Sequence, residues 1–223
     1  MVELRTGLRA ELVAANLREV RGEIDQACAR AGRDPAGVRV LAATKYVADA
    51  ELPVLAEAGI DLVGENRAQD LERRAGEHGE LFEWHFIGAL QSRKVRTIVP
   101  HVTLIHSVAS RSALAELAKH AERVRPGLRV LLEVNVSGEQ GKAGIEAGEL
   151  DSYIEQAPVP VAGLMTMPPL AQSPEESRPW FAALRALAAE RGLSELSMGT
   201  SQDYEVAVEE GATIVRIGTR LYD

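Results

Sequence analysis

Lys45 stands two residues past the short run Val38 to Ala43 (VRVLAA), apolar apart from Arg39, in this 223-residue sequence. A lysine in such a place either snorkels its ammonium to water or sits partly desolvated. Desolvation disfavours the charged form and leaves an amine suited to Schiff base formation with an aldehyde. Position alone leaves both readings open. A second group of reactive types lies near the C-terminus. SMGTS (197 to 201) runs directly into QDYEVAVEEG, and RIGT (216 to 219) offers a glycine and a hydroxyl after an apolar run. Backbone N–H groups at a helix start, joined by small hydroxyl side chains, make an anion site, although Ser201 could equally be only the N-cap of that helix.

The elements that must position these groups follow a helix-then-strand rhythm. Leu4, Leu8, Leu12, Val13, Leu17, Val20 and Ile24 recur at three- and four-residue spacings, which predicts an amphipathic N-terminal helix ending near Gly32. Eight strands are expected at Val38 to Ala43, Asp61 to Gly64, Trp84 to Gly88, Thr103 to Ser107, Val130 to Val136, Val161 to Met165, Glu195 to Met198 and Thr213 to Ile217. Helical patterns fall between them at Ala50 to Ala58, Asn66 to Ala75, Ser112 to Val124, Pro174 to Arg191 and Gln202 to Glu210. Such alternation predicts βαβ units and a parallel sheet. The strand count matches a single closed (β/α)₈ barrel with an extra N-terminal helix, an α/β fold usually of about 250 residues. An open doubly wound sheet is disfavoured, because TKYVAD rather than a G-x-G-x-x-G turn follows the first strand. No linker or repeat divides the chain, so one domain over residues 1–223 is expected.

In such a barrel the loops after the strands build the site on one face. Lys45, Glu65, Asn66, Gln91, Ser92, Asn135, Met165, Thr166, Ser197 to Ser201 and Arg216 to Thr219 all fall there. An amine after strand one and a phosphate cradle after strands seven and eight describe a ligand with an aldehyde and a phosphate, and pyridoxal 5′-phosphate (PLP) carries both.

Composition narrows the alternatives. The formal charge of −8 repels phosphate backbones and anionic membrane surfaces, so no nucleic-acid partner is expected. No apolar stretch approaches the roughly 18 residues of a membrane span. Arg5, Arg9, Glu3 and Glu11 interrupt any signal core, and the lone Cys28 has no partner for an intramolecular disulfide, which together predict a cytoplasmic, reduced protein. His78, His85, His101, His106 and His120 show no metal-ligand spacing. His85 and His106 read as barrel-interior histidines satisfied by hydrogen bonds, Cys28 as a small buried hydrophobe, and Trp84 and Trp180 as packing residues. Tyr46 could stack near a bound ring, on the weak ground of adjacency to Lys45.

Over nearly the whole chain from residue 38 onward, the sequence resembles the YggS/PROSC family of PLP-homeostasis proteins. The resemblance rests on LAATKY (41–46), VGENRAQD (63–70), WHFIGALQSRK (84–94), HSVAS (106–110), EVNVSGEQGKAG (133–144), GLMTMP (163–168), LSMGTSQDYEVAVEEG (196–211) and VRIGTRLYD (215–223). It implies a fold-type III barrel like the N-terminal domain of alanine racemase, without that enzyme's second domain. It further implies that Lys45 is the Schiff-base lysine, that Ser201, Gly218 and Thr219 hold the phosphate, and that Asn66, Met198 and Arg216 line the cofactor ring. A guanidinium at the pyridine nitrogen keeps that nitrogen unprotonated and weakens the ring as an electron sink. Arg93, Thr200 and Val47 depart from the family pattern, and the sequence stops at Asp223.

The leading functional expectation is a PLP carrier that serves vitamin B6 homeostasis, acts as a monomer, delivers cofactor to PLP-dependent apo-enzymes and has no robust turnover. A small PLP-dependent racemase is the enzyme alternative, but it needs acid/base groups on both faces of the ring. An aldolase-like barrel with a lysine Schiff base and a phosphate site is a third reading. Lys142, in GEQGKAG, stands open as either a second amine near the cofactor or a solvated loop lysine.

Overall fold

A computed structural model describes residues 4–223. The first three residues of the expected single domain, Glu3 among them, lie outside the described residues. Eight parallel strands close into a barrel in strict chain order: β1 (Arg39–Ala43), β2 (Leu62–Glu65), β3 (Glu83–Phe86), β4 (Leu104–Val108), β5 (Arg129–Glu133), β6 (Val161–Met165), β7 (Glu195–Thr200) and β8 (Ile214–Ile217). Closure comes from β1 and β8, paired from Arg39 opposite Ile214 to Ala42 opposite Ile217. The alternation of side chains along a strand sorts residues into two layers. Leu41, Leu62, Leu104, Leu131, Met165 and Ile214 point inward and fill the barrel. Their neighbours Ala42, Val63, Ile105, Leu132, Leu164 and Val215 point outward into a larger core shared with the helices. Near-continuous apolar strands are therefore required, as each strand is covered on both faces.

The outer ring comprises α1 (Ala10–Ala31), α2 (Leu52–Glu57), α3 (Ala68–His78), α4 (Val95–Ile98), α5 (Arg111–Lys119), α6 (Leu150–Gln156), α7 (Arg178–Ala189), α8 (Tyr204–Glu209) and α9 (Thr219–Tyr222). In α1, Val13, Leu17, Val20, Ile24, Ala27 and Cys28 form the buried stripe, and Gly32 ends the helix in the left-handed region at φ 65°. Asn16 Nδ2 donates to the carbonyls of Leu221 and Asp223, at 3.2 and 2.9 Å, which fastens the C-terminus to this helix. Among the described residues no helix is long and apolar enough to cross a membrane.

The N-terminal helix begins later than the leucine spacing predicts. Leu4 is 48% exposed and precedes α1. Gly7, at φ 71°, turns the chain, and Glu51 accepts from the Gly7 and Leu8 N–H groups at 2.8 and 3.0 Å. Arg5 instead makes a bridge beside Val47: its N–H donates to the Tyr46 carbonyl at 2.7 Å, and its carbonyl accepts from Ala48 at 3.1 Å. Backbone pairing with the turn after β1 has displaced the helical periodicity, and that turn carries Lys45.

Candidate functional site

Beyond β1 the chain folds into a single 3₁₀ turn, Thr44–Tyr46, that lifts Lys45 past the strand end. The turn is held from inside the fold. Thr44 is buried and its hydroxyl lies 2.5 Å from Glu65 Oε1. Arg74, on α3, donates through Nη1 to the Thr44 carbonyl at 3.0 Å, through Nη2 to the Val47 carbonyl at 2.6 Å and through Nε to Asp49 at 2.7 Å, and it pairs with Glu65 as well. Burial pushes the Glu65 carboxyl up, outweighing the opposing pull of Arg74 and the Thr44 hydroxyl. Lys45 itself is exposed at the mouth of a cavity, with Nζ 4.5 Å from the centre of the Tyr46 ring. The 3₁₀ turn carries this lysine past the apolar layer, so its side chain reaches the exposed mouth of the cavity.

The cavity has a volume of about 360 Å³, and its walls include Lys45, Asn66, Ser201, Arg216, Gly218 and Thr219. Six of the seven residues expected at the site thus share one chamber at the C-terminal ends of the strands. The Ser201 hydroxyl accepts from the Gly218 N–H at 3.1 Å, which joins the loops after β7 and β8 into one corner. Ser201 is not the cap of α8, since Asp203 precedes that helix and accepts from the Thr200 N–H at 2.8 Å. A glycine is required just before this corner. Gly199 has φ +89°, and a Cβ there would stand 2.6 Å from Ala207 Cβ and 2.9 Å from Tyr204 Cα. On the opposite wall, the Asn66 backbone lies so close to Gly88 that a Cβ on Gly88 would meet the Asn66 carbonyl oxygen at 2.0 Å. Asn66 Oδ1 is buried with no hydrogen-bond partner.

Arg216 closes the chamber from below. Its Nη1 donates to Ser197 Oγ at 2.5 Å, and Nη2 reaches the Thr166 carbonyl at 3.1 Å and Met167 Sδ at 2.8 Å. Burial pushes its guanidinium down to about 10, with Asp203 and Glu133 acting in the other direction, so the group is cationic at neutral pH. Burial raises the Glu133 carboxyl, and the nearby Arg216 offsets part of that rise.

Met198 is not brought to the chamber. It is fully buried in the helix-facing core, while its neighbour Ser197 points inward to Arg216, as strand alternation requires. Lys142 does not line the chamber and pairs with Glu139 at 3.4 Å. Asn135 shapes that same loop, its Oδ1 accepting from Ser137 and Gly138 at 3.1 Å. Residues not expected at the site, Ala43, Ile87, Met167 and Gln202, also line it. For Met167 and Gln202 the available signal was their place immediately after the ends of β6 and β7.

The comparisons with known proteins agree with this architecture. The family model for the alanine racemase N-terminal domain matches residues 13–223. The pyridoxal phosphate homeostasis protein of Aquifex aeolicus is 42% identical over 217 residues, covering 92% of this chain and 95% of its own length. The protein of the same name from Pseudomonas aeruginosa is 39% identical, with 94% of each chain covered. The solved structure of PipY from Synechococcus elongatus with PLP bound superposes with a TM-score of 0.79 at 32% identity, over 95% of this chain and all of that one. Alanine racemase from Bartonella henselae shares the fold at 15% identity, with a TM-score of 0.69 over 59% of its length. The chain therefore belongs to the alanine racemase N-terminal domain family and, within it, to the pyridoxal phosphate homeostasis proteins.

Proposed function

We propose that this protein binds pyridoxal 5′-phosphate as a Schiff base on Lys45 and serves vitamin B6 homeostasis, holding the reactive aldehyde and making cofactor available to PLP-dependent apo-enzymes. The observation that carries this reading is the single chamber in which the Lys45 amine shares walls with the Ser201–Gly218–Thr219 corner and Arg216. The residues present fit the cofactor. Ser201 and Thr219 bring hydroxyls to the corner. At Gly218 an added Cβ would meet only Ala43 Cβ, at 3.9 Å, so glycine leaves there the space a phosphate would take. Asn66 Oδ1, buried and unpartnered, lacks the kind of donor that a ring hydroxyl provides.

When bound, the cofactor supplies an aldehyde carbon that condenses with an amine and a ring that withdraws electrons from the product. The Lys45 amine would hold that carbon, and the corner would orient the phosphate. Arg216, a donor-only cation at the ring nitrogen, would keep that nitrogen unprotonated and so restrain carbanion chemistry. A cytoplasmic location and a monomeric state belong to the same proposal. The chain spans 95% of the Aquifex relative and matches 59% of the Bartonella racemase.

Borohydride reduction of the purified holoprotein followed by peptide mass spectrometry tests the assignment. A phosphopyridoxyl adduct on the Lys45 peptide is expected, and Lys45→Ala should abolish the adduct and the yellow colour. Undiminished colour and bound cofactor in that variant would overturn it. Robust interconversion of any amino acid's enantiomers, followed by chiral chromatography, would favour the racemase reading instead.

A further inference from the structure

Four hydrogen bonds run end to end through the barrel interior and finish at the chamber. Glu83 Oε1 lies 2.9 Å from His85 Nε2, His85 Nδ1 lies 2.9 Å from His106 Nε2, His106 Nδ1 lies 2.8 Å from Ser197 Oγ, and Ser197 Oγ lies 2.5 Å from Arg216 Nη1. His85, His106 and Ser197 are wholly buried.

The chemistry of the two ends fixes the direction of every link. A guanidinium has only donors, and an ionised carboxylate has only acceptors. The Glu83 carboxyl is held well below the usual range, first by its bond to His85 and then by donation from Arg39 and Thr103, at 2.6 and 2.8 Å. Arg216 Nη1–H therefore donates to Ser197 Oγ, and the serine proton turns to His106 Nδ1. His106 then carries its proton on Nε2 and donates to His85 Nδ1, while His85 Nε2–H donates to Glu83. Reversing either ring would set two acceptors or two donors face to face in a dry interior, where an unmade hydrogen bond is expensive. Burial pushes both imidazoles down, which agrees with neutral rings.

We propose that Glu83, His85, His106 and Ser197 form a directional relay that positions Arg216, presenting its charge to the ring nitrogen of the cofactor. They are positioning residues, for none lines the chamber. The inference rests on the cofactor reading above for what Arg216 faces, although the relay's own polarity does not depend on it. Without the relay, Ser197 loses the acceptor that orients its hydroxyl, and Arg216 keeps only the Thr166 carbonyl and Met167 sulfur as fixed partners.

Two measurements on the full-length protein test the relay. Nitrogen-15 NMR of the histidine side chains at neutral pH, without cofactor, should show His85 and His106 as neutral Nε2–H tautomers. An imidazolium or an Nδ1–H form on either ring overturns the proposal. PLP-loaded Ser197→Ala and His106→Leu are then compared with the parent by absorption spectrum and by fluorescence titration of PLP affinity. His106→Gln, whose amide can both accept and donate, provides the conservative variant. A displaced absorption band with affinity reduced by about tenfold is expected for the first two, on the scale of one hydrogen bond to a charged group, with partial return in the glutamine variant. Should His106→Leu fail to fold, Ser197→Ala deletes only a hydroxyl and carries the same expectation. A parental band and affinity in Ser197→Ala and His106→Gln alike overturns the relay. Failure of the cofactor reading shows separately, as an unmodified Lys45 peptide in the parent protein after reduction.

Discussion

Arg74 reaches the Thr44 carbonyl, the Val47 carbonyl, Asp49 and Glu65 while only 3% exposed, so one guanidinium fixes both ends of the turn that carries Lys45. Its loss would strand the buried Glu65 carboxylate. Removing one partner of a buried ion pair typically costs about 3–5 kcal/mol, far more than breaking an exposed pair. Arg74→Leu is therefore expected to lower unfolding free energy by about that amount in urea titrations, whereas Arg39→Leu, at a half-exposed pair, should lower it by about 1 kcal/mol or less. Equal effects of the two substitutions would show that the clamp around Lys45 contributes nothing special. In a folded Arg74→Leu protein, a loosened turn should also slow formation of the Lys45 adduct.

At the scale of elements, the loop after β7 depends on how closely α8 approaches the strand. Gly199 permits that approach by adopting a positive φ and by having no Cβ to collide with Ala207 and Tyr204. Both demands fall on one residue two positions before Ser201. Gly199→Ala is expected to destabilise the fold by about 2–4 kcal/mol, combining left-handed strain with overpacking. Because α8 must move to relieve the contact, PLP affinity should fall as well. A substitution that lowers the melting temperature without changing PLP affinity would uncouple this packing from the phosphate corner. Gly32→Ala at the end of α1 offers the contrast: φ is 65° but no atom lies within 4 Å of the added Cβ, so only the conformational strain of about 1 kcal/mol is expected, with affinity unchanged.

For the whole molecule, the barrel interior makes stability sensitive to acid. Burial lowers the proton affinity of His85 and His106 in the folded state, first by desolvation, and His101 shifts the same way. A histidine that stays neutral when folded binds its proton only on unfolding, so stability is intact above the ordinary value near 6.5 and is lost as pH falls below it. Each such ring removes about 1.4 kcal/mol per pH unit in that range. The depressed Glu83 carboxyl adds a loss at lower pH, below about 4.3, where the unfolded chain takes up its proton first. Glu65 and Glu133, raised by burial, oppose the trend by binding protons in the folded state. Unfolding free energy should therefore drop between pH 7 and pH 5.5, by about 1 kcal/mol for each ring that stays neutral less the part returned by Glu65 and Glu133, as measured by urea titration. A flat profile over that interval would mean that the buried rings accept protons in place.

The residue order alone determined the eight helix-and-strand units, the barrel they imply and the face on which Lys45, Asn66, Ser201, Arg216, Gly218 and Thr219 must lie, because periodicity and strand ends are local properties. Tertiary structure decided what those properties leave free. Met198 turned toward the helices because inward and outward positions alternate along β7, and Ser197 is the residue that faces Arg216. Leu4 and Leu8 continued the helical spacing of α1 on paper, yet backbone bonds to Val47's neighbours and to Glu51 claimed that segment. His106 and Ser197 stand 91 residues apart, and Arg74 and Thr44 stand 30 apart. Such contacts arise only when closure between β1 and β8 sets the register of every strand, so no local pattern could announce them.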